Sequence, residues 1–363
     1  MESKYSELYD KFKKLGQGHV FNDLDLVPED QVGHFLETCT TMPVEDILNN
    51  YREAVAISET MHSSKIVPAE SYLRIDNFSD DEVKSLWSSG LQALASRRVA
   101  PILLGGGVGS RLQFPHPKAM FKPGLLSQKT LLQLQIERVM RLWEIATGGP
   151  GHTSEIPFIV MINPQARDDW LQFFKETNCC GYPHTSIYSF FQGMYPAVDL
   201  DGKIILTAPG KLALNPNGNG DIYESLERPL YKVVKKVCDG ADVYEFEESG
   251  VNTITFLQDR VDIVHIFGVD NILNKVADPI ALGVLLRENL NILNKTVDKV
   301  DPEENVGVYA LRDNCPTFLE YSEISSEQAN SRDATTNRLL FGQANIVNHF
   351  LCTSFLQQVV QQR

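Results

Sequence analysis

The stretch "PILLGGGVGSRLQFPHPKAMFKPG", Pro101 to Gly124, runs from an apolar segment into Gly105, Gly106, Gly107 and Gly109, and then to Arg111 and Lys118. An apolar run that ends in glycines reads as a buried strand whose following turn presses against something. Each glycine costs about 0.5–1 kcal/mol of conformational entropy relative to alanine, so four together need a reason, and close approach of a ligand supplies one. Two familiar loops do not fit. A dinucleotide fold wants G-x-G-x-x-G and an acid about 20 residues later. Here Gly105-x-Gly107 leads to Ser110, Gly107-x-Gly109 leads to Leu112, and no acid precedes Glu137. A Walker loop closes on G-K-[ST], whereas Gly109 is followed by Ser110-Arg111. What remains is a set of backbone N–H groups bared toward a phosphate. Arg111 and Lys118 then offer the charge that a phosphoryl-transfer transition state needs.

Outward from the loop, no Asp or Glu occurs from Val83 to Ile136, while Lys84, Arg97, Arg98, Arg111, Lys118, Lys122 and Lys129 all do. The 363-residue chain as a whole is acidic, with 33 Lys and Arg against 47 Asp and Glu and a net charge of −14. That balance argues against nucleic acid or an anionic membrane as partner, and a cationic island within it suits one small, highly charged anion. The six cysteines lack metal-ligand spacing and read as reduced thiols; the eight histidines show no H-E-x-x-H pattern, and only His116 stands beside the loop. No apolar stretch approaches the ~20 residues of a membrane helix. The charged N-terminus "MESKYSELYDKFKKLG" lacks a signal peptide's apolar core, so the expected location is the cytoplasm.

Before Val99 the chain reads as helical. "YSELYDKFKKL", "PEDQVGHFLETC", "PVEDILNNYREAVAIS" and "SDDEVKSLWSSGLQAL" carry apolar residues at three- and four-residue spacing, with Pro28, Pro43 and the Ser79/Glu82 capping pair as start signals. After Val99, the β-rich runs "VAPILL", "FIVMI" and "SIYSF" alternate with helical patterns at Gln128–Ala146 and Ala166–Thr177. That alternation predicts a doubly wound parallel sheet. Further strands are expected at Lys203–Leu206, Val261–Phe267, Val306–Leu311 and Thr317–Tyr321, and a helix at Ile280–Leu290. The final "NIVNHFLCTSFLQQVVQQR" reads as an amphipathic helix. Gln192 ends a buried strand, where an amide can pair with an imide in both senses. "NPNGNGD" (Asn215–Asp221) can bring backbone close to a base. Asp270 stands at the carboxyl end of "VDIVHIFGV", a fair position for a Mg²⁺ ligand.

The pattern G-G-x-G-[ST]-R-L-x4-P-K, here "GGVGSRLQFPHPKA", resembles the glycine loop of sugar-nucleotide pyrophosphorylases, and its spacing is similar to the UDP-N-acetylhexosamine pyrophosphorylase family. "GQGHVF", "FFQGMYPAVDLDGKIIL", "NPNGNGDIYESL", "VDIVHIFGVDNILNKVADP", "VGVYALRD", "LEYSEIS" and "LLFGQANIVNHFLCTSFL" match that family's blocks in order. The chain departs from the pattern at Val108, Ala119, Asp221 and "GQAN", none of which removes a charged catalytic group. The family also continues past this point with a lysine-bearing block and a C-terminal β-rich lobe that have no counterpart here, which implies a truncated or reduced form.

The resemblance implies an α/β fold of nucleotide-diphospho-sugar transferase type: a doubly wound, Rossmann-like, mixed but mainly parallel sheet. Residues 1–97 would be an N-terminal helical arm and 98–363 the nucleotidyltransferase domain. It implies that Gly106 and Gly107 approach uracil and ribose, that Gln192 and Gly218 read the uracil edge, and that Asn219, Gly307, Glu320 and Asn345 contact the sugar. Arg111 and Lys118 would be catalytic, and Asp270 would hold Mg²⁺, with Mn²⁺ as an alternative. The expected activity is uridylyl transfer from UTP to N-acetylglucosamine 1-phosphate by a monomer. The rivals are UDP-glucose pyrophosphorylase, whose loop lacks the S-R-L arginine, and a non-catalytic UDP-sugar binder.

Overall fold

The computed structural model describes residues 2–60, 64–69, 71–107, 113–149 and 156–362. From the N-terminus its elements are α1 (Glu2–Lys14), α2 (Glu29–Thr41), α3 (Val44–Thr60), β1 (Ile66–Pro68), α4 (Asp80–Ala95), β2 (Val99–Leu104), α5 (Leu131–Thr147), β3 (Phe158–Ile162), α6 (Arg167–Glu176) and β4 (Ile187–Phe191). Next come β5 (Met194–Pro196), β6 (Leu206–Ala208), β7 (Lys211–Leu212), β8 (Leu214–Pro216), α7 (Ile222–Ser225), β9 (Pro229–Cys238), β10 (Ala241–Asn252), α8 (Thr253–Arg260) and β11 (Ile263–Gly268). The last are α9 (Pro279–Arg287), β12 (Ile292–Asp298), β13 (Val308–Arg312), β14 (Cys315–Leu319), α10 (Ser326–Asn330), β15 (Gln343–Cys352) and α11 (Thr353–Gln361). No helix among the described residues is long and apolar enough to cross a membrane.

The chain divides into two compact units. The smaller is Met1–Lys65 with Met194–Asn217, and the larger is Ile66–Gly193 with Gly218–Arg363. In the smaller unit the apolar faces of α1 to α3 cannot bury one another completely, and Ile204 and Leu212 from the second segment complete a core around Phe12, Phe21, Phe35 and Leu48. Phe12 and Phe21 meet edge to face at 5.2 Å, the geometry that ring quadrupoles favour. Gln17, buried, clips the segments together. Its Nε2 donates to the Gly202 carbonyl at 2.9 Å and its Oε1 accepts from the Ile204 N–H at 2.9 Å, so both halves of the amide are satisfied. That accounts for the glutamine of "GQGHVF".

The larger unit holds an 11-stranded sheet in the order β1-β13-β15-β11-β2-β3-β4-β9-β10, with β12 on β15 and β14 on β13. Its centre, β11-β2-β3-β4, is parallel, and antiparallel strands flank it on both sides. The central strands read as unbroken apolar runs because both faces are covered. Val99 and Leu103 of β2, with Phe158, Val160 and Ile162 of β3, face one core with Trp170 and Ile136; Ala100, Ile102, Leu104, Ile159 and Met161 face the other with Leu257 and Leu356. The Ser79/Glu82 and Thr130/Gln133 capping boxes start α4 and α5, and Gly148 in the left-handed region ends α5. α4, grouped with the N-terminal arm by its helical pattern, packs on α9 of the larger unit through paired glycines. A Cβ at Gly90 would lie 1.9 Å from the Pro279 carbonyl oxygen, and one at Gly283 2.2 Å from the Leu86 carbonyl oxygen.

The C-terminal segment corrects the helical reading. Gln343–Cys352 is the strand β15, paired antiparallel with β11 and β12, and only Thr353–Gln361 is helix. The segment Asn345–Cys352 inserts beside a central strand, so tertiary pairing overrode a pattern whose period is ambiguous over so short a run. Of the expected strand at Lys203–Leu206, Ile204 makes an isolated bridge to Val198 and Leu206 opens β6. The β9–β10 hairpin, not foreseen, turns on Asp239-Gly240 with φ of 51° and 79°, the paired positive angles that a two-residue hairpin turn demands.

Candidate active site

The glycine loop leaves the carboxyl end of β2, where each glycine answers to a different neighbour. The Gly105 N–H continues the ladder to the Met161 carbonyl at 2.9 Å, and a Cβ there would strike Val160 and Trp170 at 2.8 and 2.9 Å. A Cβ on Gly106 would lie 2.0 Å from Gln192 Oε1. Gly107 faces open space among the described residues, and its carbonyl accepts the Lys118 N–H at 3.2 Å. That bond returns the Pro117-Lys118 segment to the loop. Arg111, with Val108, Gly109, Ser110 and Leu112, lies outside the described residues.

Asp270 follows β11, the parallel neighbour of β2, with Gly268 opposite Leu104. Both loops therefore leave the same sheet edge. Lys118 Nζ meets Asp270 Oδ1 at 2.7 Å, with the lysine side chain 24 % exposed and the aspartate 70 %. Among the described residues no three His, Cys, Asp or Glu side chains gather as a metal cage. One exposed carboxylate suits an ion that keeps water and takes its other oxygens from phosphates, which is the habit of Mg²⁺.

On the other side of β2, Gln192 follows β4, buried, with its N–H on the Ile162 carbonyl at 2.8 Å. Its Nε2 donates to the Gly218 carbonyl at 3.4 Å. Gly106, Gln192 and Gly218 are thus brought together. Asn219 follows, exposed, in a single 3-10 turn. Sequence reading noted Asp221 only as a departure, yet its buried carboxylate accepts the Gly193 N–H at 2.6 Å and the Ser225 hydroxyl. A Cβ on Gly193 would lie 2.7 Å from Asp221 Oδ1, so Gly193 and Asp221 are matched, and together they fix the backbone immediately after Gln192. Nothing in spacing or period marks such a pair.

The remaining expected residues form a third group beyond β11. The Asn345 N–H donates to the Gly307 carbonyl at 2.8 Å, and a Cβ on Gly307 would sit 3.2 Å from the Leu319 carbonyl and 3.5 Å from Glu320 Oε1. Because Asn348 pairs with Phe267 in an antiparallel register, Asn345 lies toward the Asp270 end of β11. The pairing of β15 with β12 slips between Asn345 and His349, and Val347 there has φ of 52° while its N–H donates to Asn345 Oδ1 at 2.9 Å. A β-branched residue in the left-handed region is strained, and such bulges re-aim side chains next to sites. His116, the histidine beside the loop, pairs with Asp169 at 3.1 Å. It lines a cleft of about 660 Å³ with Phe114, Phe121 and Phe173 that contains none of the expected site residues.

Beneath the Asp270 loop, His265 of β11 is fully buried, stacked against Phe267 at 5.0 Å and Phe350 at 4.1 Å. The Ala277 N–H donates to its Nδ1 at 2.9 Å, so the ring proton resides on Nε2 and is donated to Asn348 Oδ1 at 2.8 Å. Burial pushes its pKa down to about 3, against a smaller upward pull from the Asn348 bond and Asp278 and further downward pushes from Lys295 and His349. The folded state thus resists a proton that the unfolded chain accepts near pH 6.5. The stability tied to neutral His265 is complete above pH 6.5 and is lost as pH falls toward 3. We expect the unfolding free energy to drop by about 2 kcal/mol between pH 7.5 and pH 5, with a flatter slope in His265→Gln. Denaturant midpoints at the two pH values check this, and equal slopes in both proteins would show the histidine is not the source.

A family model for UTP–glucose-1-phosphate uridylyltransferase matches residues 45–237 and 238–363. The chain is 33 % identical over 362 residues to the human UDP-N-acetylhexosamine pyrophosphorylase-like protein 1, covering 97 % of this chain and 67 % of that one. It is 31 % identical to the UDP-N-acetylglucosamine pyrophosphorylase of Saccharomyces cerevisiae, covering 88 % of this chain and 62 % of the yeast protein. Among solved structures it is similar to the uridine diphosphate N-acetylglucosamine pyrophosphorylase from Trypanosoma brucei in complex with an inhibitor. That match has a TM-score of 0.78 and 25 % identity over 99 % of this chain and 68 % of the other. The chain thus spans about two thirds of the length of the relatives it matches.

Proposed function

The chain belongs to the UTP–glucose-1-phosphate uridylyltransferase family, and from that premise we propose that it forms UDP-N-acetylglucosamine and pyrophosphate from UTP and N-acetylglucosamine 1-phosphate. The observation that carries this reading is the order of groups along one sheet edge. Glu320, Gly307 and Asn345 lie beyond β11, the Lys118–Asp270 pair spans β11 and β2, and Gly106, Gln192 and Gly218 gather at the end of β4. A nucleotide sugar laid along that edge would have its sugar, its diphosphate and its base at these three stations in turn. The carboxyl edge of an open parallel sheet is where such ligands bind.

In this reading an oxygen of the sugar phosphate attacks the α-phosphorus of UTP in line, the bond from that phosphorus to the bridging oxygen breaks, and pyrophosphate leaves. Positioning and charge neutralisation do most of the work in such transfers. Lys118 neutralises the α-phosphate and Arg111 the departing β,γ-phosphates. The Gln192 amide and the Gly218 carbonyl select the uracil imide, and Glu320 and Asn345 take the sugar. Asp270 would hold Mg²⁺ or Mn²⁺, which when bound supplies charge neutralisation between the two phosphates. The acetylated sugar is favoured because the relatives reported above carry it in their names, and the protein is proposed to act as a cytoplasmic monomer.

Pyrophosphate release tests the reading. With UTP and Mg²⁺, release should be faster with N-acetylglucosamine 1-phosphate than with glucose 1-phosphate. The reverse order would make the chain a UDP-glucose enzyme, and silence with both, alongside binding of UDP-sugar, would make it a binding protein.

A further inference from the structure

The loop from Asp270 to Asp278 is exposed at Asp270 and anchored almost everywhere after it. From α5, Gln135 Nε2 donates to the Asn271 carbonyl at 3.2 Å. Arg138 Nη1 donates to the carbonyls of Ile272 and, at 3.1 Å, Asn274. From the sheet side, Asn348 Nδ2 donates to Asn274 Oδ1 at 2.5 Å, and His265 Nδ1 accepts the Ala277 N–H. The loop also braces itself, with the Leu273 N–H on Asn271 Oδ1 at 3.0 Å and the Asn274 N–H on the Asn271 carbonyl at 3.0 Å. These contacts span consecutive turns of the loop from the residue directly after Asp270.

The groups involved are costly ones. Gln135, Asn274, Asn348 and His265 are all buried. Arg138 is half-buried, burial pulls its pKa below the usual guanidinium range, and no carboxylate pairs with it among the described residues. A guanidinium taken out of water and spent on peptide carbonyls instead of an acid costs stability unless it fixes something. Ala277 moreover holds φ of 51°, a conformation that persists only where the surroundings over-determine it. Asn348 lies on β15 three residues after Asn345, so the same network ties the Asp270 loop to the strand of the third group.

Resting on the assignment of Asp270 to a divalent cation, we propose that Gln135 and Arg138 on one side, and the His265–Asn348–Asn274 chain on the other, are positioning residues. They form a two-sided clasp that presets Asp270 for the cation and its phosphates. Outer groups that orient a ligand carboxylate commonly contribute a factor of about 10–100 to metal affinity.

The test compares the full chain with Arg138→Met, Arg138→Lys, Asn274→Ala and Asp270→Asn. Mn²⁺ binding in the presence of UTP is followed by electron paramagnetic resonance, and amide exchange of residues 271–277 by mass spectrometry. In Arg138→Met and Asn274→Ala we expect Mn²⁺ affinity to fall about tenfold and exchange in 271–277 to quicken, with the rest of the chain unchanged and partial rescue in Arg138→Lys. Unchanged exchange in both variants that break the clasp overturns the proposal, as does wild-type Mn²⁺ affinity in variants whose loop has loosened. If Asp270→Asn itself binds Mn²⁺ like the wild type, the metal assignment fails and the clasp's purpose fails with it. That outcome is distinct, because the exchange results still show the clasp holding the loop.

Discussion

Replacing Lys118 with methionine is expected to lower turnover by about 10²–10³-fold, the usual cost of removing one preorganised charge from a transition state, and to leave the chain folded. The two halves of that statement come from different parts of the geometry. Lys118 Nζ stands 2.7 Å from Asp270, and the Lys118 N–H is held by the Gly107 carbonyl at 3.2 Å. On the proposed reading, charge that develops on the α-phosphate is met there by Lys118. The stability term is small because the lysine is partly exposed and the aspartate mostly so; solvent screens such a pair to within about 1 kcal/mol. Methionine keeps the length and apolar stem, so packing against the loop is retained. Saturating kinetics beside a denaturation curve decide the matter: loss of kcat at an unshifted midpoint is the expected pattern. Parallel loss of both would make Lys118 a structural residue.

The second large effect is on the fold. Gly283→Ala should destabilise the protein by about 1–3 kcal/mol or more, because the new methyl would sit 2.2 Å from the Leu86 carbonyl oxygen. That neighbour is helix backbone and cannot swing aside as a side chain would. Gly90, where a Cβ would lie 1.9 Å from the Pro279 carbonyl oxygen, should behave the same way. Gly33, exposed inside α2 with nothing among the described residues within 4 Å of a would-be Cβ, is the control, and there alanine should stabilise by roughly 0.5–1 kcal/mol. Urea midpoints of the three variants compare directly. Equal effects at Gly283 and Gly33 would mean that helix propensity alone is at work and that α4 and α9 have room to spare.

What was legible beforehand follows a physical rule. β2, β3 and β4 were foreseen to within a residue or so because a strand buried on both faces writes itself as an apolar run. Gln192 and Asp270 were reachable because they end such strands, and the structure sets Gln192 against Gly106 and Asp270 against Lys118. Asp221, Gln135 and Arg138 were not, since side chains that bond to backbone N–H and carbonyl groups follow no period and need no partner of complementary type. Gly90 and Gly283 were lost for a similar reason: a glycine required by the opposite helix looks, in one dimension, like any other. The Asp239-Gly240 turn was different, because its signal was present and passed over. β15 failed through real ambiguity, a run too short for its period to decide between strand and helix.

The small unit has a consequence for the order in which the protein can be made. Gln17 waits for Gly202 and Ile204, 185 and 187 residues downstream, and the core around Phe12 and Phe21 is closed only when Leu212 arrives. During synthesis the first sixty residues therefore emerge with an apolar face and no lid for it, and β2, β3 and β4 are all translated before the lid appears. Contacts of such long sequence separation are slow to close. These helices therefore cannot close their core until Leu212 has been made, and for that interval they depend on whatever shields nascent apolar surface in the cell.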